Sequence, residues 1–273
     1  MNINKMIYSI RSLKIWSLIF AISIFILGFQ NIYFGKPNPA LFPFGSNIVI
    51  IASAAYISGA IMLISSAGSI IHNSLYGGFL IIGILMLLSF LFAHLSQLIS
   101  NVRNPNEWTG SFETIAIMSG AFLLAAVYYD IGYPKKSKEI PAQLYLIIKL
   151  FFASALVVFG ILHLMYADFI ASLIPDWISF HIFWTYLVGV GFFAASISLI
   201  VVIKQELAMN LLGAMFLFWV VFVHAPRVFH HFTDRDEWSS LLIALAISGI
   251  SFSFAATFRI VAKFARKINE NYK

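Results

Sequence analysis

The sequence predicts an all-α membrane protein. Eight transmembrane helices form two parallel four-helix repeats, with a short interfacial helix after the first helix of each repeat. Three observations predict this. The 273 residues are 61% hydrophobic and only 10% charged, whereas a soluble domain carries roughly 25% charged residues. Eight apolar stretches each approach the ~20 residues that a bilayer core about 30 Å thick requires. Finally, the chain repeats itself. His94 precedes Glu107-Trp108 by the same spacing as His224 precedes Glu237-Trp238, an offset of 130 in each case (224−94, 237−107, 238−108).

The stretches run at approximately 13–34, 47–71, 75–99, 111–133, 143–166, 180–203, 207–231 and 238–262. Backbone polar groups in lipid must pair internally, so each stretch reads as a helix. The first follows a basic N-terminus, is about 20 residues long and lacks a small-x-small cleavage site. It therefore reads as a retained span and not as a removed signal peptide. Upstream of the histidines, Gly28, Asn31, Phe34 and Pro43 match Gly160, His163, Tyr166 and Pro175 at an offset of 132 (160−28).

The halves, 1–138 and 139–273, meet at the polar, proline-bracketed loop Pro134–Pro141. Four spans return the chain to its starting side, so the repeats should be parallel and related by a pseudo-twofold axis along the membrane normal. After the first span of each half comes an odd segment, Lys36–Gly45 (KPNPALFPFG) and Asp168–Phe180 (DFIASLIPDWISF). The second mixes apolar residues with Asp168, Pro175, Asp176 and Trp177, which reads as a short amphipathic helix at the interface. A shallow re-entrant hairpin is the alternative.

Lysine and arginine set the orientation. Lys5, Arg11, Lys14, Lys135, Lys136, Lys138, Lys149, Lys204, Arg259, Lys263, Arg266, Lys267 and Lys273 fall on one side, 13 of the 17; Lys36, Arg103, Arg227 and Arg235 fall on the other. The positive-inside rule makes both termini cytoplasmic. The net charge of +6 therefore reflects orientation and not nucleic-acid binding. With no cysteine in the chain, disulfides, thiol chemistry, iron–sulfur clusters and cysteine zinc sites are excluded.

Polar residues concentrate on the outer half. The fourth helix of each repeat opens with a cap signal, Asn104-Pro105-Asn106-Glu107 and Asp234-Arg235-Asp236-Glu237. The cap side chain should accept a backbone N–H while the glutamate reaches back to the cap's own N–H. Trp108 and Trp238 then sit at headgroup depth. The histidines go further. His94 and His224 lie one to two turns inside the membrane, where unpaired polar groups are costly. His94, Gln97 and Asn101 share a helix face at i, i+3, i+7, as do His224, Arg227 and His231, and both faces should point into the bundle. Pro226 should free the carbonyl of Phe222 and kink the helix. His163 pairs with Tyr166, and His181 with Trp184, at i, i+3. His72 falls in a cytoplasmic turn.

The two copies differ where it matters. The second has His163, Arg227, His231 and Asp234; the first has Asn31, Gln97, Asn101 and Asn104. Charge has gone from the first copy while hydrogen-bonding capacity remains, so a site should centre on the second, and the first should be mainly structural. The candidate ligand-binding residues are His94, His163, Tyr166, His224, Arg227, His231, Asp234 and Glu237. Metal binding lacks support, because there is no His-x-x-x-His or Glu-x-x-His and His230 and His231 lie ~100° apart on a helix. Bis-histidine haem ligation by His94 and His224 is permitted by the pseudo-axis, but nothing nearby demands haem. A quinone- or lipid-like ligand with a polar head fits the composition better. Ser119-Gly120 and Ser248-Gly249 read as close helix packing.

The segments GILHLMYADFIASLIPDWISFHIFWTYLVGVGFFAASISL (160–199) and VHAPRVFHHFTDRDEWSSLLIALAISGISFSFA (223–255) resemble the DoxX-like family of bacterial membrane proteins. The resemblance covers most of 145–262 and, more weakly, about 17–132. It rests on His163, Tyr166, Pro175, Trp177, Trp184, Tyr186, Gly189, His224, Pro226, Arg227, Glu237 and Trp238, and the first copy departs from it at Asn31 and Leu95-Ser96-Gln97. The family is built on a four-helix unit, so the chain looks like two fused units. One relative is a subunit associated with thiosulfate:quinone oxidoreductase. The expectation is a bacterial inner-membrane protein accessory to a redox or envelope process, with a periplasmic-side quinone or lipid pocket and partner membrane or periplasmic subunits. No motif marks a stand-alone enzyme. A small-molecule transporter is one alternative. A non-catalytic scaffold is another, and it predicts a dry, self-paired polar cluster that no pocket reaches.

Overall fold

A computed structural model of the chain describes residues 3–43, 48–71, 75–133 and 141–271. His72, the last residues of the Lys36–Gly45 segment and all of the Pro134–Pro141 loop but its final proline lie outside the described residues. The described chain is entirely helical apart from its connections: α1 (Ile3–Phe34), α2 (Ile48–Ile71), α3 (Leu75–Ser89), α4 (Leu95–Ser100), α5 (Pro105–Gly132), α6 (Ala142–Met165), α7 (Ala167–Ser172), α8 (His181–Val201), α9 (Gln205–Trp219), α10 (Ala225–His230) and α11 (Arg235–Asn271). Eight helical runs are long and apolar enough to cross a membrane, which makes this a multi-pass membrane protein.

Two of these runs are continuous through a π-helical turn. Phe90–His94 joins α3 to α4, and Val220–His224 joins α9 to α10. Each π turn ends on a histidine, and the turns lie 130 residues apart (220−90). The sequence suggested a kink at Pro226 alone. The equivalent turn at Phe90–His94 is followed by Leu95-Ser96 and contains no proline, so proline is not its cause. π turns of this kind frequently mark functional positions.

Helices α1 and α11 run antiparallel. Asn31 meets Arg235 at one end of α1 and α11, and Tyr8 meets Arg259 at the other. Helices α5 and α11 form the centre, with 72% and 78% of their spans buried against at most 44% elsewhere. They pack on each other, α5 against α3 and α6, and α11 against α1 and α9. A Cβ on Gly120 would sit 2.2 Å from Ile250 of α11, so only glycine admits this crossing. Many buried hydroxyls are satisfied within or across helices, as Ser248 donates to the Gly213 carbonyl at 2.8 Å and Ser196 to that of Ala153 at 2.9 Å, although Ser66 Oγ has no partner. Lipid offers no such partners.

Most spans begin and end within a few residues of their predicted limits. Two differ more. The fourth span begins at Pro105, directly after the cap residue Asn104, and not near 111. The first helix begins at Ile3. Of the short helices predicted to follow the first span of each half, one is seen among the described residues only in the second, as α7, and its Ala167–Ser172 covers only the start of the predicted 168–180. In the first, Gly35–Pro43 is non-helical, because Pro37, Pro39 and Pro43 remove donors and clash with a helical turn. That segment does not lie on the surface. Asn38, Leu41 and Phe42 are buried.

Candidate functional site

The site lies at the end of the bundle where α5 and α11 begin. Both starts are capped through Oδ1. Asn104 accepts from the backbone N–H of Asn106 at 3.1 Å, and Asp234 accepts from that of Asp236 at 2.8 Å. The glutamates do not reach back to the backbone. Glu107 accepts from the Asn104 side-chain amide at 3.4 Å, and Glu237 pairs with Arg227 at 2.7 Å. Arg227 offers a full positive charge inside the bundle, and this outcompetes a neutral cap N–H. Trp108 Nε1 donates to the Val102 carbonyl at 2.8 Å and Trp238 Nε1 to that of Phe232 at 2.9 Å, which fixes both rings against their helix starts.

The two histidines that end the π turns have opposite surroundings. His94 is 1% exposed. Its Nε2 pairs with Thr114 Oγ1 at 2.9 Å and its Nδ1 with Ser111 Oγ at 3.4 Å. The Gly35–Pro43 segment closes the space around it. Ser89 Oγ donates to the Leu41 carbonyl, and a Cβ on Gly110 would lie 2.9 Å from the Ala40 carbonyl oxygen. Further polar groups of the first half are also mutually satisfied. Asn31 Oδ1 accepts from the Asn38 backbone at 2.8 Å and from Arg235 at 2.9 Å, and Asn38 Nδ2 donates to Ser239 at 2.8 Å.

Around His224 these features are missing. The residues 130 later than Ser111, Thr114 and Gly110 are Leu241, Ala244 and Ser240. His224 Nδ1 is buried with no hydrogen-bond partner. A cavity of about 420 Å³ replaces the closing segment, a volume within the ~300–1,000 Å³ range of small-molecule sites. Its walls are apolar and aromatic side chains of α6, α8, α9 and α11, and α7 forms one wall through Phe169 and Ile170. His163, His224, Arg227 and Glu113 supply its ionisable groups. His163 Nδ1 donates to the Phe159 carbonyl at 2.8 Å, so its other nitrogen is an acceptor in the neutral ring. Gly189 admits His163, because a Cβ there would meet that of His163 at 3.1 Å.

Of the residues predicted for the site, His163, His224 and Arg227 line the cavity, and Glu237 holds Arg227 beside it. His94 does not line it. Tyr166 is half-buried where α6 ends and also lies outside it. His231 and Asp234 are exposed. His231 follows the end of α10 with φ −127°, so the helical spacing that should have aligned it with His224 has lapsed. Asn101 is exposed beyond α4 in the same way. Among the described residues, no group of three or more acidic or histidine side chains gathers to hold a metal ion.

Glu113 was not among the predicted site residues. It belongs to α5, in the first half, yet faces the cavity of the second. An acid within the apolar run that follows Trp108 was its signal, and the residue 130 later is Ile243. Comparison with known proteins adds nothing to these observations: the chain matches no protein-family model, no curated protein and no solved structure.

Proposed function

We propose that this chain is a bacterial cytoplasmic-membrane protein holding one quinone- or lipid-like ligand in a cavity on the periplasmic side. In this reading it is accessory to a membrane redox or envelope process and is not a stand-alone enzyme. The observation that carries it is the ligand-sized apolar cavity into which the His224, His163 and Glu113 side chains project, with His224 Nδ1 left unpartnered. Buried polar atoms are almost always satisfied, and an intramembrane ionisable group without a partner points to function. A scaffold needs only a closed, self-paired cluster. That describes His94 and does not describe His224.

The architecture fits two parallel four-helix repeats, 1–138 and 139–273, of DoxX-like type. Matching π turns, matching caps and matching tryptophan bonds recur 130 residues apart. The fourth helix of each half packs on the first helix of the other, α11 on α1 and α5 on α6, as a twofold axis along the membrane normal requires. The 13-to-4 bias of Lys and Arg supports cytoplasmic termini and a periplasmic cavity.

The test is to purify the full chain in polymer-bounded native membrane discs, extract it with organic solvent and quantify quinones and lipids by mass spectrometry. The expected result is one amphipathic species near one per chain, depleted in His224→Ala and Arg227→Ala and retained in His94→Ala. Equal retention by all four proteins would sink the proposal.

A further inference from the structure

The Gly35–Pro43 segment plugs the first half, and its contacts map onto the open cavity of the second. Asn31 Oδ1 accepts from the Asn38 backbone N–H at 2.8 Å, and Ser239 Oγ accepts from Asn38 Nδ2 at 2.8 Å. Thr114 Oγ1 lies 3.4 Å from the Ala40 carbonyl oxygen, Gly110 leaves room for that same oxygen, and Ser89 Oγ donates to the Leu41 carbonyl. The repeat partner of Asn31 is His163, at an offset of 132 (163−31). Those of Ser239, Thr114, Gly110 and Ser89 are Thr109, Ala244, Ser240 and Trp219, at an offset of 130 (239−109, 244−114, 240−110, 219−89). All five partners line the cavity. The cavity thus corresponds to the volume that the plug fills, and the plug shows how such a volume is occupied. It brings in backbone carbonyls, met by wall hydroxyls, on the buried apolar side chains of Leu41 and Phe42.

The partner of Ser89 is the informative one. Serine has become Trp219, and the position has kept a donor, now the indole N–H. Trp219 Nε1 has no hydrogen-bond partner among the described residues, and protein does not seal it, so the N–H opens onto unfilled space. Edge contacts with Trp184 at 6.0 Å and Phe218 at 5.2 Å hold the ring. Resting on the cavity and repeat readings above, we infer that the ligand carries a carbonyl oxygen that accepts from Trp219 Nε1, as the Leu41 carbonyl accepts from Ser89. Its chemical class is then a quinone or an acyl ester on an apolar body, which Phe192, Met215 and Ile247 surround. Ala244 has lost the hydroxyl that Thr114 offers the plug, so the role of carbonyl donor passes to Trp219. Arg227, which keeps guanidinium N–H groups beyond its bond to Glu237, and the Asn106 amide add donors nearer the helix starts. A donor placed for a carbonyl discriminates against the analogue that lacks one, because the donor is then left unpaired.

Quinones and acyl esters share this chemistry, so the experiment uses two matched pairs. The full chain is placed in discs of ether-linked phospholipid, which brings no carbonyl of its own. It is titrated with a decyl-benzoquinone against the corresponding decyl-dimethoxybenzene, and with dioctanoylglycerol against its dioctyl ether. In at least one pair the carbonyl member should bind about tenfold tighter, the factor expected of roughly one well-made hydrogen bond. The pair that shows the preference identifies the source. Trp219→Phe keeps the ring and removes the N–H; it should abolish the preference and leave the carbonyl-free member unchanged. The infrared carbonyl stretch of the ligand bound to the unsubstituted protein should fall below its value in empty discs, and this readout carries the test if the phenylalanine variant fails to fold. Binding without preference in either pair, a preference that survives Trp219→Phe, or an unshifted carbonyl band overturns the inference and leaves the cavity reading standing. Absence of binding by all four compounds, in protein that also carries no co-purified ligand, overturns both.

Discussion

Thr114→Val tests how the His94 environment is held closed. Thr114 Oγ1 is the partner of His94 Nε2 at 2.9 Å, in a position where His94 is 1% exposed. Valine fills nearly the same volume and removes only the hydroxyl. Ser111, at 3.4 Å from Nδ1, is too far to compensate. Hydrogen bonds between membrane helices are worth ~0.6 kcal/mol on average and up to ~1.7 kcal/mol, while orphaning a buried polar group costs ~1–3 kcal/mol. The ranges overlap near the top of the first, so the expected loss is about 1.5 kcal/mol. It would be measured by equilibrium unfolding in mixed micelles with increasing dodecyl sulfate. Ser119→Ala is the control, because Ser119 bonds only the Ile115 carbonyl of its own helix, and it should change stability by under ~0.5 kcal/mol. In a His94→Leu background the Thr114→Val loss should largely vanish. A Thr114→Val effect no larger than that of Ser119→Ala, or one undiminished in that background, would refute the reasoning.

Ala244→Thr installs beside His224 the hydroxyl that occupies the corresponding place beside His94. It should gain about 0.5–1 kcal/mol in the same unfolding assay while lowering the co-purified ligand severalfold by mass spectrometry; unchanged ligand with unchanged stability contradicts it. Gly110→Ser makes the opposite exchange, placing a Cβ 2.9 Å from the Ala40 carbonyl oxygen. It should displace the Gly35–Pro43 segment at a cost of about 1–3 kcal/mol, read as faster proteolysis within that segment than in wild type. Arg227→Ala leaves Glu237, whose Oε2 already lacks a partner, as a solitary carboxylate. The side chains are 28% and 13% exposed, between the surface and buried limits, so the loss should be about 2 kcal/mol, partly recovered by adding Glu237→Ala.

Much of the fold was legible because lipid leaves few options. Apolar length sets the spans, and backbone satisfaction makes them helices. The cap residues Asn104 and Asp234 were legible for the same local reason, a side-chain oxygen placed to receive a backbone N–H. What escaped was everything decided between segments. The π turns at Phe90–His94 and Val220–His224 carry no mark in composition. Burial of Asn38, Leu41 and Phe42 depends on Gly110, which lies more than sixty residues downstream in sequence. Helical spacing correctly united His224 with Arg227 but overreached to His231, because α10 ends one residue earlier. Glu113 escaped because the site was sought within one half, whereas the packing of α5 at the centre of the bundle carries its carboxyl group into the other.

The central claim is that the two histidine environments have diverged, one closed and one open to a ligand. A structure determined by electron cryomicroscopy in native-membrane discs tests it most directly. The account predicts non-protein density in the cavity bounded by Glu113, His163 and His224, and continuous packing of Leu41 and Thr114 around His94. Density beside His94 as well, or a collapsed cavity with His224 bonded to neighbouring protein groups, would contradict it.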